Sequence, residues 1–149
     1  MYSFILSTHN LTRWGVLLFG LYAITKSILG LMRNRPFTKQ ANISHALFVG
    51  FCHLQLLLGI VLYFISPQVD AALANGFGAA MKDPYSRLIV LEHITVNFIA
   101  IALIQVGRTL SKKTTEDRAK YKKTLIFFGI GLVLILSRIP WKYSALLPW

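Results

Sequence analysis

The segment Arg87-Leu-Ile-Val-Leu-Glu-His-Ile-Thr-Val-Asn-Phe-Ile-Ala100 opens a long apolar stretch, yet it contains an acid, an imidazole and an amide. Ionisable groups are costly inside a lipid core and are kept there mainly where they pair, bind a ligand or carry protons. His93 and Asn97 are four residues apart and share one face of a helix. Glu92 lies about 100° round that helix from His93. The segment therefore indicates both a membrane-spanning helix and the place where function is concentrated.

Composition extends this interpretation to the whole chain. Of its 149 residues 55% are hydrophobic and only 14% are charged, whereas a soluble domain has about 25% charged residues. Four segments are nearly continuously apolar, each about the 20 residues that a helix needs to cross a bilayer. We therefore predict an all-α integral membrane protein, a single domain of residues 1–149 that forms an up-down bundle of four transmembrane helices. The predicted helices are about residues 3–34, 43–66, 84–111 and 115–140.

Short signals set several of these limits. Asn42 or Ser44 is predicted to cap the second helix. Asp83-Pro84 provides a capping carboxylate and a first-turn proline for the third helix. Thr114–Asp117 has the form of a capping box for the fourth helix. The connection over residues 67–83 is predicted to be a weakly polar loop that holds at most a short turn.

Basic residues dominate the charge balance, and their positions predict the orientation. The net charge is +11. Most basic residues follow the first and third apolar segments, with few acids among them: Arg33, Arg35, Lys39, Arg108, Lys112, Lys113, Arg118, Lys120, Lys122 and Lys123. Positive loops stay in the cytoplasm, so both termini are predicted to lie outside. A basic face at the membrane favours anionic lipid over nucleic acid as the partner.

Four histidines are the strongest chemical signal, because the chain has no phosphate loop, dinucleotide fingerprint, cysteine-pair zinc site or nucleophile triad. Two neutral imidazoles on facing helices can bind a haem iron axially, and the core of a helix bundle is a usual place for such a cofactor. Counting about 1.5 Å per residue places His93 in the outer half of the membrane, with His53 and His9 both near enough in depth. We therefore expect one haem, ligated by His93 and either His53 or His9. His45 lies deep on the cytoplasmic side and has no partner at its own depth.

Other polar residues at the depth of His93 allow two interpretations. Glu92 and Arg138 fall at similar depth and would neutralise each other as a structural ion pair. Alternatively, Arg138 and Arg13 meet the carboxylates of a haem, while Glu92 orients a histidine through its second ring nitrogen. Asn97 belongs to the same candidate site because it shares the face of His93.

Several short motifs lie along nearly the whole chain: His9-Asn-Leu-Thr-Arg-Trp14, His53-Leu-Gln55, Gly59 with Leu62-Tyr-Phe-Ile-Ser-Pro67, Glu92-His93 and Ile139-Pro-Trp141. With these motifs the chain resembles a group of small bacterial four-helix membrane proteins labelled cytochrome b or cytochrome b-like. The resemblance implies a multi-pass protein of the bacterial inner membrane that binds haem b and exchanges electrons with quinone. The matching histidines are His9, His53 and His93. The chain lacks the two histidines per helix of di-haem cytochromes, which argues against a two-haem wire.

These polar residues and motifs are consistent with three functions. The first is a cytochrome b-like protein with one haem b that takes part in membrane electron transfer. The second is a non-catalytic subunit of a larger membrane complex, or an oligomer, because His53 and Gln55 lie about 160° apart and cannot both face one bundle axis. The third is a proton or small-solute carrier that uses Glu92, His93 and Arg138, although no inverted repeat or broken helix supports it.

Overall fold

The structure, a computed structural model, describes residues 1–142. In this part of the chain, helices are joined by short turns. The elements in chain order are α1 (Tyr2–Met32), α2 (Lys39–Ile65), α3 (Pro67–Leu73), α4 (Phe77–Lys82), α5 (Pro84–Arg87), a π-helical turn (Leu88–Glu92), α6 (His93–Lys112) and α7 (Asp117–Ser137). No strand occurs in these residues. The all-α prediction is thereby confirmed for the described residues, whereas residues 143–149 of the predicted domain lie outside them.

Three helices are long and apolar enough to cross a membrane: Tyr2–Met32, Lys39–Ile65 and the continuous helix Pro84–Lys112. This finding indicates a membrane protein. The remaining long helix, α7, carries Lys120, Lys122 and Lys123 in its first turns, so its uninterrupted apolar run is shorter. A fourth span and the placement of the termini stay predictions.

The four long helices bury a common core. α1 packs against α2 and α7, and α6 packs against α7 and α2. Phe48, Ile104 and Phe128 are fully buried where these helices meet. Each long helix also turns large apolar side chains outward, for example Leu18, Leu57, Phe98 and Val133. Apolar residues on both the inner and the outer faces are typical of helices surrounded by lipid rather than by water.

The start of α2 differs from the prediction. The helix begins at Lys39, and its cap is Thr38, whose hydroxyl accepts a 3.2 Å hydrogen bond from the Ala41 amide. The prediction that Asn42 or Ser44 caps this helix is therefore wrong. The prediction placed the start of the helix at its first apolar residues, near position 43. A capped first turn can be polar, because it lies at the end of the bundle. Asn42 instead uses its side chain in a contact with α6.

The predicted capping box of the last helix is also wrong. Glu116 precedes the first helical residue and makes no side-chain capping bond. The Thr114 hydroxyl instead accepts a 2.5 Å hydrogen bond from the ammonium group of Lys123. The helix ends at Ser137 rather than at residue 140. The tetrapeptide pattern was misleading because the helix starts two residues later than it predicts, which leaves Thr114 outside the cap position.

The connection over residues 67–83 is more ordered than predicted, because it forms the short helices α3 and α4. Ser66 caps α3 ahead of a proline at its first position. The phenol of Tyr2 donates a 2.5 Å hydrogen bond to Gln68, which ties α3 to the start of α1. The predicted start of the third helix is confirmed, since the Asp83 carboxylate accepts a 2.7 Å hydrogen bond from the Ser86 amide.

Candidate functional site

A cavity of ≈ 310 Å³ lies among the four long helices at the end that α3 covers. Its volume is at the lower end of the range of small-molecule sites, about 300–1,000 Å³. Most of its wall is apolar, but several polar side chains of α1, α2 and α6 also line it, among them His9, Asn10, Arg13, Gln55, His93 and Asn97. An apolar cavity with a few convergent polar groups is the usual form of a ligand site.

His93 is held in one orientation on the wall of this cavity. It follows the π-helical turn directly, and such turns often occur at functional sites. Its Nδ1 atom lies 2.7 Å from the backbone carbonyl oxygen of Arg138. A carbonyl only accepts hydrogen bonds, so Nδ1 carries the proton and Nε2 keeps its lone pair. A carbonyl bound to one ring nitrogen is the common arrangement behind a metal-binding histidine. Asn97 fixes the same turn by donating a 2.6 Å hydrogen bond to the His93 carbonyl.

His9 faces His93 from the opposite side. The two ring centroids are 6.4 Å apart, with an interplanar angle of 65°. The Nδ1 atom of His9 is buried and has no hydrogen-bond partner. Buried polar atoms are nearly always satisfied, so an exception calls for a ligand, water or functional explanation.

Gln55 positions the segment of α1 that carries His9. Its amide nitrogen donates a 3.0 Å hydrogen bond to the His9 backbone carbonyl. Its amide oxygen accepts a hydrogen bond from the Thr12 hydroxyl. These two contacts fasten α2 to α1 one turn from the imidazole. Gln55 therefore points inward and supports the site, a role that the sequence did not reveal.

The charged residues near the site form an ion-pair cluster at its rim. Glu92 lies 2.8 Å from the Arg87 guanidinium and 3.5 Å from that of Arg138. All three side chains are partly exposed, and none lines the cavity. The structural ion pair, one of the two interpretations of Glu92 and Arg138, is thus present. The group that orients His93 is the Arg138 carbonyl rather than the Glu92 carboxylate.

Arg13 is the charged side chain that belongs to the cavity itself. It is buried in the wall, on the same helix as His9 and one turn further along. Its guanidinium carbon lies 5.8 Å from the ring of Trp14 and 6.0 Å from that of Trp141, distances at which a cation is attracted to an aromatic face. The arginine therefore supplies a positive charge beside the paired imidazoles.

The two other histidines lie elsewhere. His53 is exposed on the outer surface of α2 and does not line the cavity. His45 is fully buried towards the opposite end of the helices, where its Nε2 atom is 3.0 Å from the Ser27 hydroxyl. Ser27 in turn lies 3.1 Å from the Thr124 hydroxyl. His45 is thus a hydrogen-bonding link between α1, α2 and α7.

The donor set can be tested against the expected haem. Within residues 1–142, no group of three or more His, Cys, Asp or Glu side chains is placed to hold a metal ion, but axial ligation needs only two imidazoles. A metal–imidazole bond is about 2 Å long, so two imidazoles on one ion have ring centres about 6 Å apart. The 6.4 Å separation of His9 and His93 fits this requirement. The hydrogen-bonded Nδ1 of His93 fits it as well, whereas Nδ1 of His9 lacks the hydrogen bond that usually holds a metal-binding imidazole.

Comparisons with known proteins leave the site to be judged on this geometry. No protein-family model, curated protein or solved structure matches the chain.

Two features of the site had no signal in the sequence. The π-helical turn occupies Leu-Ile-Val-Leu-Glu, which reads as ordinary apolar helix, and the Arg138 carbonyl is a backbone group that any residue would supply.

Proposed function

We propose that this protein is a cytochrome b-like electron-transfer protein that binds one haem b between His9 and His93. The observation that carries the proposal is the pair of opposed imidazoles in an apolar cavity, with ring centroids 6.4 Å apart. Of the two partners that the sequence allowed for His93, His9 is favoured because His53 faces outward from α2. The resemblance to small bacterial cytochrome b-like proteins supports the same assignment.

The proposal includes a topology of four transmembrane helices with both termini outside the bacterial inner membrane. Support for α7 as the fourth span comes from its exposed apolar side chains, Ile126, Ile130 and Val133, which resemble those of the three other long helices. Support for the orientation comes from the basic residues, which gather at the ends of α1 and α6 and the starts of α2 and α7. The cavity then lies in the outer half of the membrane.

Each residue of the site has a distinct task in this proposal. His93 would hold the iron through Nε2, because Nδ1 is bonded to the Arg138 carbonyl. Arg13 provides the positive charge that the carboxylates of a haem require. Bound haem iron supplies one-electron transfer. Ile94, Ile101 and Ile135 in the cavity wall exclude water, which helps to set the reduction potential. Quinone is the proposed electron partner, on the resemblance alone.

A dithionite-reduced-minus-oxidised optical spectrum of the purified protein tests the proposal. Wild type and His53→Ala should both give a sharp reduced α-band with a shifted Soret band. His9→Ala and His93→Ala should each lose this low-spin spectrum while remaining monodisperse in detergent. A colourless but folded wild-type preparation, from cells supplied with ample haem, would refute the assignment. An unchanged spectrum in His9→Ala would refute the named ligand pair.

A second candidate function is a subunit of a larger membrane complex, and His53 favours it. This imidazole is exposed near the middle of α2, on the same outer side as the exposed leucines at positions 54 and 57. A polar side chain at this depth is costly when it faces lipid and generally packs against another helix or a cavity. A partner should co-purify with wild type and be lost in His53→Leu. A wild-type protein that stays monomeric and partner-free after mild solubilisation would count against this function.

A further inference from the structure

A second cavity, of ≈ 380 Å³, lies at the end of the helices opposite to the imidazole pair. It is formed by the start of α2, the end of α6 and the first turn of α7. Four cationic side chains line it: Lys39, Arg108, Lys112 and Lys120. The rest of its wall is polar or aromatic, and none of the described residues that line it is acidic. Asp117 pairs with Lys120, and the three other cations, which no acid in this wall balances, favour an anion.

Arg108 is the centre of this cavity. The residue is only 6% exposed, which is unusual for an arginine. One of its terminal nitrogens, Nη2, donates a 2.7 Å hydrogen bond to the side-chain oxygen of Asn42. The other, Nη1, is buried and has no hydrogen-bond partner. A charged donor left unsatisfied in a buried place carries a large desolvation cost. An acceptor that reached Nη1 would remove that cost.

The backbone of α2 adds to the same field. Thr38 caps this 27-residue helix, and the first amides of a helix have no acceptor within it. The positive end of the helix dipole attracts anions, so a helix start beside a buried arginine is a favourable phosphate site. Lys120 contributes less than a free cation, because it pairs with Asp117 at 2.9 Å and lies over the Phe37 ring. Lys39, Arg108 and Lys112 keep the cavity positive.

We propose that this cavity binds a phosphate group, and that in the membrane the phosphate is that of an anionic lipid headgroup. A guanidinium in the wall of a concave site suits phosphate oxygens. The cavity opens at the ends of α2 and α6, the candidate spans, which is the depth at which headgroups lie. In the proposed orientation this end faces the cytoplasmic leaflet, whose anionic lipids complement the positive charge of the cavity. The site is independent of any haem bound at the other end.

Native mass spectrometry of the detergent-purified protein, titrated with phosphatidylglycerol or with zwitterionic phosphatidylcholine, tests the site. Wild type should bind phosphatidylglycerol more tightly than phosphatidylcholine. Arg108→Gln should lower the phosphatidylglycerol affinity by about tenfold or more, as expected for the loss of a charged hydrogen bond. Arg33→Gln removes the same charge from an exposed position at the same end and should change the affinity less than about twofold, because remote exposed charges are screened.

A second variant keeps the test decisive if Arg108→Gln does not fold. Lys112→Gln removes a cation from the rim of the cavity and should lower the phosphatidylglycerol affinity by up to about fivefold, the effect of losing one exposed ion pair. Equal losses in Lys112→Gln and Arg33→Gln would overturn the proposal, because they would show only general surface attraction. Phosphatidylcholine binding as tightly as phosphatidylglycerol would overturn it as well.

Millimolar inorganic phosphate distinguishes the two sources of the group. If the headgroup is the ligand, free phosphate should displace little phosphatidylglycerol, because the acyl chains add to the affinity. If free phosphate displaces the lipid and raises the melting temperature of wild type but not of Lys112→Gln, the site holds and its ligand is soluble phosphate. If the binding of neither phosphate nor phosphatidylglycerol changes in the Arg108 and Lys112 variants, the proposal is refuted.

Discussion

Two glycines in α7 offer a matched test of how closely the helices pack. Both Gly129 and Gly131 are predicted from the sequence to permit close approach, but the structure separates them. A Cβ atom at Gly131 would lie 2.4 Å from Cγ1 of Ile104 and 3.1 Å from the backbone oxygen of Ala100. A Cβ atom at Gly129 would have no neighbour within 4 Å. Of these two glycines, only Gly131 is therefore a packing requirement of the α6–α7 interface.

The size of the effect follows from these distances. Carbon atoms pack at about 3.5–4.0 Å, so Gly131→Ala forces the buried Ile104 side chain to move by about 1 Å. Overpacking of this kind costs about 1–3 kcal/mol. Replacing glycine with alanine in a helix gains up to about 1 kcal/mol of intrinsic propensity. Both variants receive that gain, so the difference between them isolates the packing cost.

Reversible unfolding in mixed detergent–SDS micelles measures this difference. We expect Gly131→Ala to unfold with a free energy about 1–3 kcal/mol lower than that of Gly129→Ala. Gly129→Ala should match or exceed wild type. Equal stability of the two variants would show that α6 and α7 do not approach as closely as described. A loss in Gly129→Ala as large as that in Gly131→Ala would refute the reasoning in another way, by placing Gly129 in an interface.

Two further predictions concern buried and exposed hydrogen bonds. Ser27→Ala removes the hydroxyl that meets His45, and should lower the unfolding free energy by about 0.5–2 kcal/mol; no loss would show that the link is not stabilising. Hydrogen bonds from Ser86 lower the pKa of the Asp83 carboxyl. The ionised carboxylate therefore stabilises the folded protein above the unfolded pKa of about 3.9, and this stabilisation is lost as pH falls through the lowered pKa. Asp83→Asn caps without a charge and should flatten that acid-limb dependence of the melting temperature, whereas an unchanged slope would exclude the cap as its source.

The long helices could be predicted because their signal is distributed over many residues. A run of about 20 apolar residues outweighs an error of a few positions at either end. The start of the third helix was also predictable, since Asp83 and Pro84 act through their nearest neighbours. The starts of α2 and α7 were mispredicted for separate reasons. Thr38 caps a polar first turn that lies ahead of the apolar run, and α7 starts two residues later than the Thr114 pattern predicts.

The candidate site was predictable in residue type but not in pairing. Counting residues along each helix placed His9, His53 and His93 at similar depths in the membrane. Such a count does not show which way each side chain points across the bundle, so it could not choose the pair. The helical angle of about 160° between His53 and Gln55 showed only that one of them faces away. Which one does so is decided by the contacts of Gln55 with the backbone of His9. That contact joins positions 46 apart in sequence.

The distribution of buried polar groups also bears on the choice between the proposed functions. His9, Arg13 and His93 gather at one end of the long helices, and His45 and Arg108 lie towards the other. Between these groups, the fully buried side chains of Phe48, Ile104 and Phe128 fill the space where the helices meet. A proton or solute carrier needs polar groups or water along its whole path. Electron transfer between a haem and a partner at the same membrane face requires no such path, so this apolar layer favours the cytochrome proposal over the carrier. It also keeps the phosphate cavity apart from the imidazole pair, which is why substitutions in one are expected to leave ligand binding in the other unchanged.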